Sequence, residues 1–408
     1  MSNPPYPRSL RLRLEQDLAV YPVVALTGAR QVGKSTLGRA LADERGMAYR
    51  TLDDHDVLAH AKEDPDGLLA ELGSEGVFID EVQRAPAILL AIKAIVDRDQ
   101  RPGRYLVSGS NQPQIRSGVG DSLLGRAAYR TLRPLTLSEL RYNDVHPGWD
   151  FLFAGGDTDV LAELERRAEA SGALDWRAVA HTGGFPRVVA APAAAQRQLL
   201  DAYVETFANS DVREVLSIES SARFERFLRL LAARTGQELN ASGLSSDLGT
   251  PVTTIRRWIE ALERSYLIEL MQPYSRSAGN RVIKAPKLFM VDVGLALAAA
   301  RERQATGFHL ENMIAGDLAV WRGGAAGRDV YHWRLASAQE VDFVLELNGG
   351  LVPVEVKASL GVGKSDTRHL ETFRARHAGV SRGLLLSCDA AIRVIRPGIV
   401  AAPWWAVL

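Results

Sequence analysis

The sequence is poor in several features, and each shortage excludes a class of protein. A single cysteine, Cys388, in 408 residues rules out an intrachain disulfide framework and a cysteine-rich metal site. No apolar run approaches the roughly 20 residues of a membrane span, and the N-terminus lacks the apolar core of a signal peptide. Acidic and basic residues balance at 49 each, so any affinity for nucleic acid has to come from a local patch.

The composition is that of a globular protein with more than one domain. Hydrophobic residues make up 46% of the chain and charged residues 24%, which is enough to build packed cores. A chain of 408 residues predicts about two to four domains. We therefore expect a soluble, cytoplasmic protein with no membrane partner.

A glycine loop between an apolar run and a helical stretch is the strongest signal in the chain. Residues 23–26 are apolar and β-rich, and residues 37–44 favour a helix. The segment between them fits G-x-x-x-x-G-K-[ST], the phosphate-binding P-loop. Its nucleotide-binding residues are Gly28, Ala29, Arg30, Gln31, Val32, Gly33, Lys34, Ser35 and Thr36. The alternative, a glycine-rich turn with a surface lysine, suits this strand–loop–helix context poorly.

The P-loop residue types predict how a nucleotide is held. Gly28 and Gly33 allow backbone N–H groups to turn toward an anion, and the following helix adds the positive end of its dipole. Lys34 is expected to reach the β- and γ-phosphates of ATP, and the Ser35 hydroxyl to hold Mg²⁺.

A second strand supplies the expected acidic partner of a P-loop. Residues 76–79 are apolar and are followed by Asp80 and Glu81, the Walker-B pattern. We predict that Asp80 supports Mg²⁺ and that Glu81 polarises the attacking water. An acidic strand end without a function is the alternative.

These blocks resemble a family of bacterial and archaeal AAA+-like ATPases whose members usually carry a C-terminal domain of unknown function. The resemblance rests on residues 26–36, on 78–83, on 108–111 and on 132–139. It implies a polar sensor at the end of the strand at 104–111, with Asn111 the first candidate and Ser110 the second. A simple strand-end turn is the alternative there.

The resemblance also implies two further nucleotide contacts. Arg126, just before the strand at 127–132, takes the place of an arginine finger that acts on the nucleotide of a neighbouring subunit; a surface arginine is the alternative. Pro186, in the segment 183–186, takes the place of a lid turn near the adenine or ribose; a plain loop is the alternative. A finger in trans would require a homo-oligomer built through the ATPase domain.

A helix-turn-helix outline follows in the middle of the chain. A short helical stretch near 241–248, a glycine turn and a helix from Val252 fit this motif, and two flanking strands fit a wing. Thr253, Thr254, Arg256 and Arg257 are expected on its exposed face. DNA is thus a candidate partner, and packing against other protein is an equal alternative.

The last hundred residues carry a pattern of acidic residues and one lysine. Asp342 and the Glu355-x-Lys357 triplet lie on two predicted strands joined by a hairpin at 348–350, as in the D…E-x-K core of PD-(D/E)XK nucleases. We predict Asp342, Glu355 and Lys357 as catalytic residues, and Glu311, Asp342 and Glu355 as ligands of Mg²⁺ or Mn²⁺. A solvated alternating strand is the alternative. Blocks around residues 308–312, 340–343 and 354–359 extend the family resemblance to this half.

Together these observations predict an α/β protein with a P-loop parallel-sheet ATPase core (1–145), a helical lid (146–210), a winged helix-turn-helix (211–295) and a nuclease-like C-terminal domain (300–408). The expected function is Mg²⁺-dependent ATP hydrolysis coupled to a DNA-handling or nuclease-like domain. The alternative is a nucleotide-dependent regulatory switch or binding protein without nuclease activity.

Overall fold

Five buried or half-buried strands pair in parallel to form the first sheet. The computed structural model of the chain describes residues 6–73, 75–110, 125–141, 148–208, 221–275, 285–335 and 339–408. The strands are β1 (Val23–Thr27), β2 (Ala48–Thr51), β3 (Val77–Asp80), β4 (Tyr105–Gly109) and β5 (Ala127–Thr131). Their order is β2-β3-β4-β1-β5. Because all pairs are parallel, the loops after β1, β3 and β4 leave at the same edge of the sheet, its carboxyl edge.

Helices cover both faces of this sheet because successive strand residues point to opposite sides. Val24 and Leu26 share a core with the first two helices, whereas Val23 and Ala25 share another with the third to fifth. At Gly38 the second helix lies so close to β3 that a Cβ would collide with the Phe78 ring. The helices are α1 (Leu10–Leu18), α2 (Lys34–Arg45), α3 (His55–Glu63), α4 (Pro65–Glu71), α5 (Ala87–Val96) and the short α6 (Leu137–Leu140).

The helices within 146–210 pack in two different places. The first packs on the end of the chain, where Val160 and Leu164 share a core with Trp404. The last two pack on the first unit, where Val188 and Leu200 join the core around β1. They are α7 (Asp157–Ser171), α8 (Trp176–Thr182), α9 (Pro186–Val189) and α10 (Ala193–Thr206).

The middle unit, within residues 221–300, joins three helices to a small antiparallel sheet and a final apolar helix. Asn240 caps the second helix, Gly249 ends it with φ +58°, and the third buries Ile255, Trp258 and Leu262. The sheet order is β6-β8-β7. The elements are α11 (Ser221–Ala232), β6 (Gln237–Glu238), α12 (Ala241–Leu248), α13 (Val252–Arg264), β7 (Ile268–Met271), β8 (Lys287–Met290) and α14 (Val293–Ala300).

The C-terminal unit, residues 307–408, is a six-stranded mixed sheet with two helices. Its order is β13-β14-β12-β11-β10-β9. Asn348 and Gly349, both with positive φ, form the tight turn between β10 and β11. The first helix starts at Gly307, so Glu311 lies within it. The elements are α15 (Gly307–Gly324), β9 (Arg328–Arg334), β10 (Glu340–Leu347), β11 (Gly350–Val356), α16 (Arg368–Arg376), β12 (Gly383–Ser387), β13 (Arg393–Arg396) and β14 (Ile399–Pro403).

The predicted α/β class with a P-loop parallel sheet and a further C-terminal sheet is confirmed. Within the described ranges, no helix has both the length and the apolar character needed to cross a membrane.

Candidate functional site

The P-loop lies at the carboxyl edge of the first sheet, between β1 and α2. Gly28 has φ +142°, and a Cβ there would collide with the carbonyl oxygen of Leu132. Gly33 has φ +98° and Gln31 has φ +63°, so the backbone turns through the left-handed region twice within the loop. Glycine is therefore required at position 28 by both space and conformation.

Lys34 is buried and bonded to its own loop. Its ammonium donates to the carbonyl oxygens of Gly28, at 3.0 Å, and of Ala29, at 2.9 Å. Burial lowers the pKa of Lys34, and the neighbouring Glu81 and Asp80 oppose that effect. The ammonium thus sits at the centre of the loop where a phosphate would be held.

Asp80 ends β3 with a buried carboxylate that neighbouring strands hold in place. The Ser108 hydroxyl of β4 donates to one carboxylate oxygen, and the Tyr49 hydroxyl of β2 donates to the other at 3.3 Å. Neither Ser108 nor Tyr49 was predicted as a site residue. Strand order alone brings them to Asp80, since β3 lies between β2 and β4.

Glu81 leaves the strand in a left-handed conformation, with φ +60°, and is held by a side chain that the motif analysis missed. The Gln83 amide donates to a Glu81 carboxylate oxygen and also to the Ser110 hydroxyl at 3.3 Å. Ser110, the second sensor candidate, therefore connects to Glu81 through Gln83. Asn111, the first candidate, lies outside the described residues.

Lys34, Glu81, Gln83 and Ser110 line a cavity of about 690 Å³. Three arginines contribute to its lining, of which only Arg30 was predicted; Arg84 and Arg187 were not. Ser265, which follows the last residue of α13, also reaches the cavity from the middle unit. The remaining lining residues are Gln31, Gly33, Lys34, Ser35, Thr36, Asp53, Glu81, Gln83, Ser110, Pro186, Tyr203 and Phe207.

Pro186 lines this cavity close to the P-loop. Its ring lies beside Gly33, and the loop that carries it is anchored twice. The Gly184 carbonyl accepts from the Leu135 N–H at 2.7 Å, and the Gly184 N–H donates to the Asp292 carboxylate at 2.6 Å. The segment thus connects the first unit to the start of α14.

Arg126 lies away from the cavity of its own chain. The register pairs Val23 with Ala127, so Arg126 lies at the amino edge of the sheet, opposite the P-loop. Its guanidinium is 2.6 Å from an Asp97 carboxylate oxygen at the end of α5. A contact with a nucleotide would have to be made on a neighbouring chain.

Arg8 is a buried anchor of the P-loop that motif analysis also missed. Its guanidinium donates to the carbonyl oxygen of Val32 at 2.6 Å and to that of Arg133, and it faces the Glu139 carboxylate at 3.4 Å. Glu139 closes the capping box of α6 with Thr136. The N-terminal segment thereby ties the loop to the end of the sheet.

In the C-terminal unit, Asp342 and Glu355 face each other across β10 and β11. The register pairs Phe343 with Val354, which places Asp342 opposite Glu355 on one face. Lys357 lies 2.7 Å from a Glu355 carboxylate oxygen, and Glu311 faces the same region from α15. The structure therefore brings the four predicted residues of this half together.

The cation among these carboxylates is a lysine from the middle unit. The Lys287 ammonium of β8 lies 2.7 Å from Glu311, 3.1 Å from Glu340 and 3.2 Å from Asp342. We call Glu311, Glu340, Asp342 and Glu355 the carboxylate cluster. Burial alone would lower the pKa of Lys287, but the carboxylates outweigh it and raise that pKa.

Burial and mutual repulsion raise the pKa values of two members of the cluster. Burial, reinforced by Asp342, raises the pKa of Glu311 to about 8, and the same two causes raise the pKa of Glu355. The His369 side chain of α16 lies 3.7 Å from Glu355, whose carboxylate raises the pKa of that imidazole.

The predicted metal ligands Glu311, Asp342 and Glu355 do not fit a divalent ion in this arrangement. Lys287 contacts two of them, and the second Asp342 oxygen accepts from the Val356 N–H at 2.9 Å. Among the residues that the structure describes, no group of three or more His, Cys, Asp or Glu side chains is arranged to hold a metal. This corrects the expectation of a metal site, because the counter-charge comes from an ammonium instead.

A half-buried ionic contact connects all three units. Glu269 of β7 lies 2.7 Å from Arg133, which follows β5, and 2.6 Å from Arg322 of α15. Burial would raise the pKa of Glu269, but the two guanidinium groups lower it below its usual range. Glu269 therefore stays ionised between the first and C-terminal units.

Comparison with known protein families gives three matches along the chain. Residues 20–141 match the AAA domain, residues 173–306 match a domain of unknown function (DUF8612), and residues 306–406 match another (DUF4143). Two proteins named as uncharacterized, from Mycobacterium tuberculosis and Mycobacterium bovis, are 28% identical over 360 residues, which are 86% of this chain and 73% of theirs.

Solved structures give more distant similarities. The Walker-type ATPase of Pyrococcus abyssi is 16% identical with a TM-score of 0.38, over 72% of this chain and 98% of that one. A signal transduction ATPase of Pyrococcus horikoshii with a tetratricopeptide repeat sensor is 12% identical with a TM-score of 0.25, over 77% of this chain and 46% of that one. Scores this low carry no structural argument of their own.

Two of the three matched domains contain the two sites. The AAA match contains the P-loop, Asp80 and Glu81, and the DUF4143 match contains the carboxylates of β10 and β11. The chain therefore combines an AAA-like P-loop ATPase domain with a C-terminal domain of unknown function.

Proposed function

We propose that the protein is a Mg²⁺-dependent ATPase whose nucleotide state is coupled to a DNA-handling, nuclease-like C-terminal half. The observation that carries the ATPase part is the set of contacts at the carboxyl edge of the first sheet. Lys34 lies in the P-loop, Asp80 is held at the end of β3, and Gln83 holds Glu81 at the rim of the cavity.

The donor set at this edge fits Mg²⁺. Ser35 lines the cavity, and Asp80 offers a buried carboxylate; hydroxyl and carboxylate oxygens are the ligands that Mg²⁺ prefers. The bound ion would neutralise charge that develops on the β- and γ-phosphates. Lys34 exchanges its two loop carbonyls for phosphate oxygens, and Glu81 accepts a hydrogen bond from the attacking water.

Two contacts support coupling between the nucleotide and the rest of the chain. Ser265 places the end of α13 at the wall of the cavity, so a nucleotide can displace or hold that helix. Glu269, four residues further on, joins Arg133 to Arg322. A shift of α13 is therefore transmitted directly to β7 and to α15.

The element order of the middle unit supports a winged helix. α11, β6, α12 and α13 precede two strands that complete a three-stranded antiparallel sheet, as in winged helix-turn-helix domains. Arg256 and Arg257 lie exposed on α13, whose opposite face is buried. Exposed arginines at this position favour contacts with DNA phosphates.

ATP turnover tests the first part of the proposal. Lys34→Ala should lose most ATP affinity, because the phosphates lose the P-loop ammonium. Glu81→Gln should bind ATP and hydrolyse it roughly 10²- to 10⁴-fold more slowly. The matched controls Lys62→Ala and Glu63→Gln lie exposed on α3 and should behave as wild type. Unchanged binding by the Lys34 variant, or unchanged turnover by the Glu81 variant, would refute this site.

DNA binding tests the second part. The double variant Arg256→Ala/Arg257→Ala should bind duplex DNA roughly 10-fold or more weakly, with a smaller salt dependence. Arg98→Ala/Arg101→Ala removes the same charge from an exposed part of the first unit and serves as the control. Equal loss in both variants would mean that the attraction is diffuse and α13 is not the binding helix.

A nucleotide-dependent switch with slow turnover is the second candidate. It is favoured by the contact of Ser265 with the cavity, which needs occupancy rather than hydrolysis to act. Steady-state turnover with and without DNA separates the two: an ATPase accelerates on DNA, whereas a switch changes DNA affinity with ATP while Glu81→Gln behaves as wild type. Because the carboxylate cluster does not fit a divalent ion, no metal-dependent cleavage step follows from it.

A further inference from the structure

Among the described residues of the middle unit, only Lys287 contributes to the carboxylate cluster, and its side chain is fully enclosed. Its side chain is 1% exposed, and its β8 neighbours pair with β6 and β7. All four carboxylates of the cluster come from α15, β10 and β11. The position of β8 on the C-terminal unit therefore decides whether this cation is present.

The Lys287 ammonium uses the oxygens that a hard metal ion would need. An ammonium has three donors, and three carboxylates accept them at 2.7, 3.1 and 3.2 Å. The Val356 N–H and Lys357 occupy further oxygens of Asp342 and Glu355. One Glu355 oxygen is buried without a hydrogen-bond partner among the described residues, which is too little for a metal site.

Removing the Lys287 ammonium would leave three carboxylates without their shared hydrogen-bond donor. Glu311, Glu340 and Asp342 would then converge without a counter-charge in a buried place, which is costly. Several carboxylate oxygens that converge in this way are the ligands of a hard divalent ion. A metal could therefore use these oxygens only in place of the lysine.

We propose that Lys287 is the resident cation of the carboxylate cluster and that it keeps divalent metal out of the C-terminal unit while β8 is docked there. The position of the small sheet of the middle unit then sets the access of metal to these carboxylates. The proposal does not depend on nucleotide hydrolysis, so its failure would leave the ATPase assignment untouched.

Mn²⁺ binding to the full-length protein, followed by electron paramagnetic resonance without nucleotide, tests the proposal. Wild type should bind no Mn²⁺ in an Asp342-dependent manner. Lys287→Met keeps most of the side-chain volume and should bind about one Mn²⁺ per chain. Its affinity should be at least about 10-fold higher than that of any Mn²⁺ binding by wild type. Lys287→Met/Asp342→Asn should lose this site, and Lys62→Met is the matched control.

Two results would overturn the proposal. One is Mn²⁺ binding by wild type that disappears in Asp342→Asn, since the lysine would then not exclude metal. The other is a Lys287→Met protein with the circular dichroism of wild type that binds no Mn²⁺, since the carboxylates would then be unable to hold one.

Amine acylation of wild type gives a measurement that does not depend on the variant folding. Lys287 should be modified at least about 100-fold more slowly than the exposed Lys62 and Lys364, because its ammonium is enclosed and bonded to three carboxylates. Saturating Mn²⁺ should leave that protection unchanged. Labelling of Lys287 at the rate of Lys62, or deprotection by Mn²⁺, would contradict the proposal.

Discussion

At the scale of single side chains, the nucleotide site depends on residues outside its motifs. Gln83 holds Glu81 and Ser110, Ser108 holds Asp80, and Arg8 holds the Val32 carbonyl. Each of these contacts fixes the direction of a group that is expected to touch nucleotide or water. The motif residues therefore supply the chemistry, and their neighbours supply the geometry.

Gln83→Ala tests whether a residue outside the motifs positions Glu81. Without its amide, the Glu81 carboxylate is free to rotate away from the attacking water, so kcat should fall roughly 10-fold. The affinity for ATP should stay as in wild type, because Lys34 and the loop are untouched. Separate measurement of kcat and of ATP binding makes the comparison.

Gln100→Ala, an exposed glutamine of the same unit, is the control. An unchanged kcat in Gln83→Ala would mean that Glu81 needs no such support. A parallel loss of ATP affinity would mean that Gln83 holds the cavity together rather than positioning Glu81.

At the scale of elements, helix α15 carries a buried histidine, His309, in its first turn. Thr306 caps the helix, and its N–H donates to the Nδ1 atom of His309 at 3.1 Å in a capping-box arrangement. Burial, with a smaller effect of His181, lowers the pKa of His309 from 6.5 to about 4. The folded protein therefore binds fewer protons at this site than the unfolded chain between those two pH values.

This difference predicts that acid weakens the protein through His309. The contribution of His309 to the free energy of unfolding is fully present above pH 6.5. It is lost as the pH falls toward 4, by on the order of 2 kcal/mol. His309→Gln should flatten this part of the profile, because glutamine preserves the capping box and does not titrate. Urea unfolding midpoints between pH 7 and about pH 4 measure the effect.

The exposed His55→Gln is the matched control and should retain the wild-type slope. If His309→Gln loses stability with acid as steeply as wild type, the slope arises from other groups.

At the scale of the whole molecule, two charged residues of the middle unit form ion pairs with the other units. Glu269 binds Arg133 and Arg322, and Lys287 binds three carboxylates of the C-terminal unit. Glu269 lies on the short strand β7 and Lys287 on the short strand β8. The small middle sheet thus contacts both the first unit and the C-terminal unit.

The predicted role of Arg126 can be tested through the assembly of the chain into oligomers. If it is an arginine finger in trans, Arg126→Ala should bind ATP normally and lose hydrolysis, whereas Asp97→Ala, which frees the arginine from its partner at 2.6 Å, should not. Mixing Arg126→Ala with Glu81→Gln protein should restore part of the activity through mixed interfaces. ATP turnover and the mass of the ATP-bound protein are the measurements.

Equal loss of activity in Arg126→Ala and Asp97→Ala would assign the pair a structural role at the amino edge of the sheet. A monomeric mass with ATP, together with no rescue on mixing, would exclude a finger.

Several features depend only on short stretches of chain and are therefore predictable from the sequence. The P-loop, the strand that ends in Asp80 and Glu81, and the Asn348-Gly349 hairpin are each specified by local conformational preferences. The AAA-like family and the α/β class followed from these blocks and are confirmed. Even the facing of Asp342 and Glu355 follows once a tight hairpin sets the register.

Which groups from distant parts of the chain meet is set by the folded structure alone. Lys287 reaches the carboxylate cluster from a strand 24 residues before Glu311 and 55 before Asp342, and Arg8 reaches Val32 across 24 residues. No local pattern marks such a lysine or arginine, because its role depends on the packing of whole units. A motif can specify which carboxylates converge. The cation that neutralises them is determined by the packing of other parts of the chain beside them.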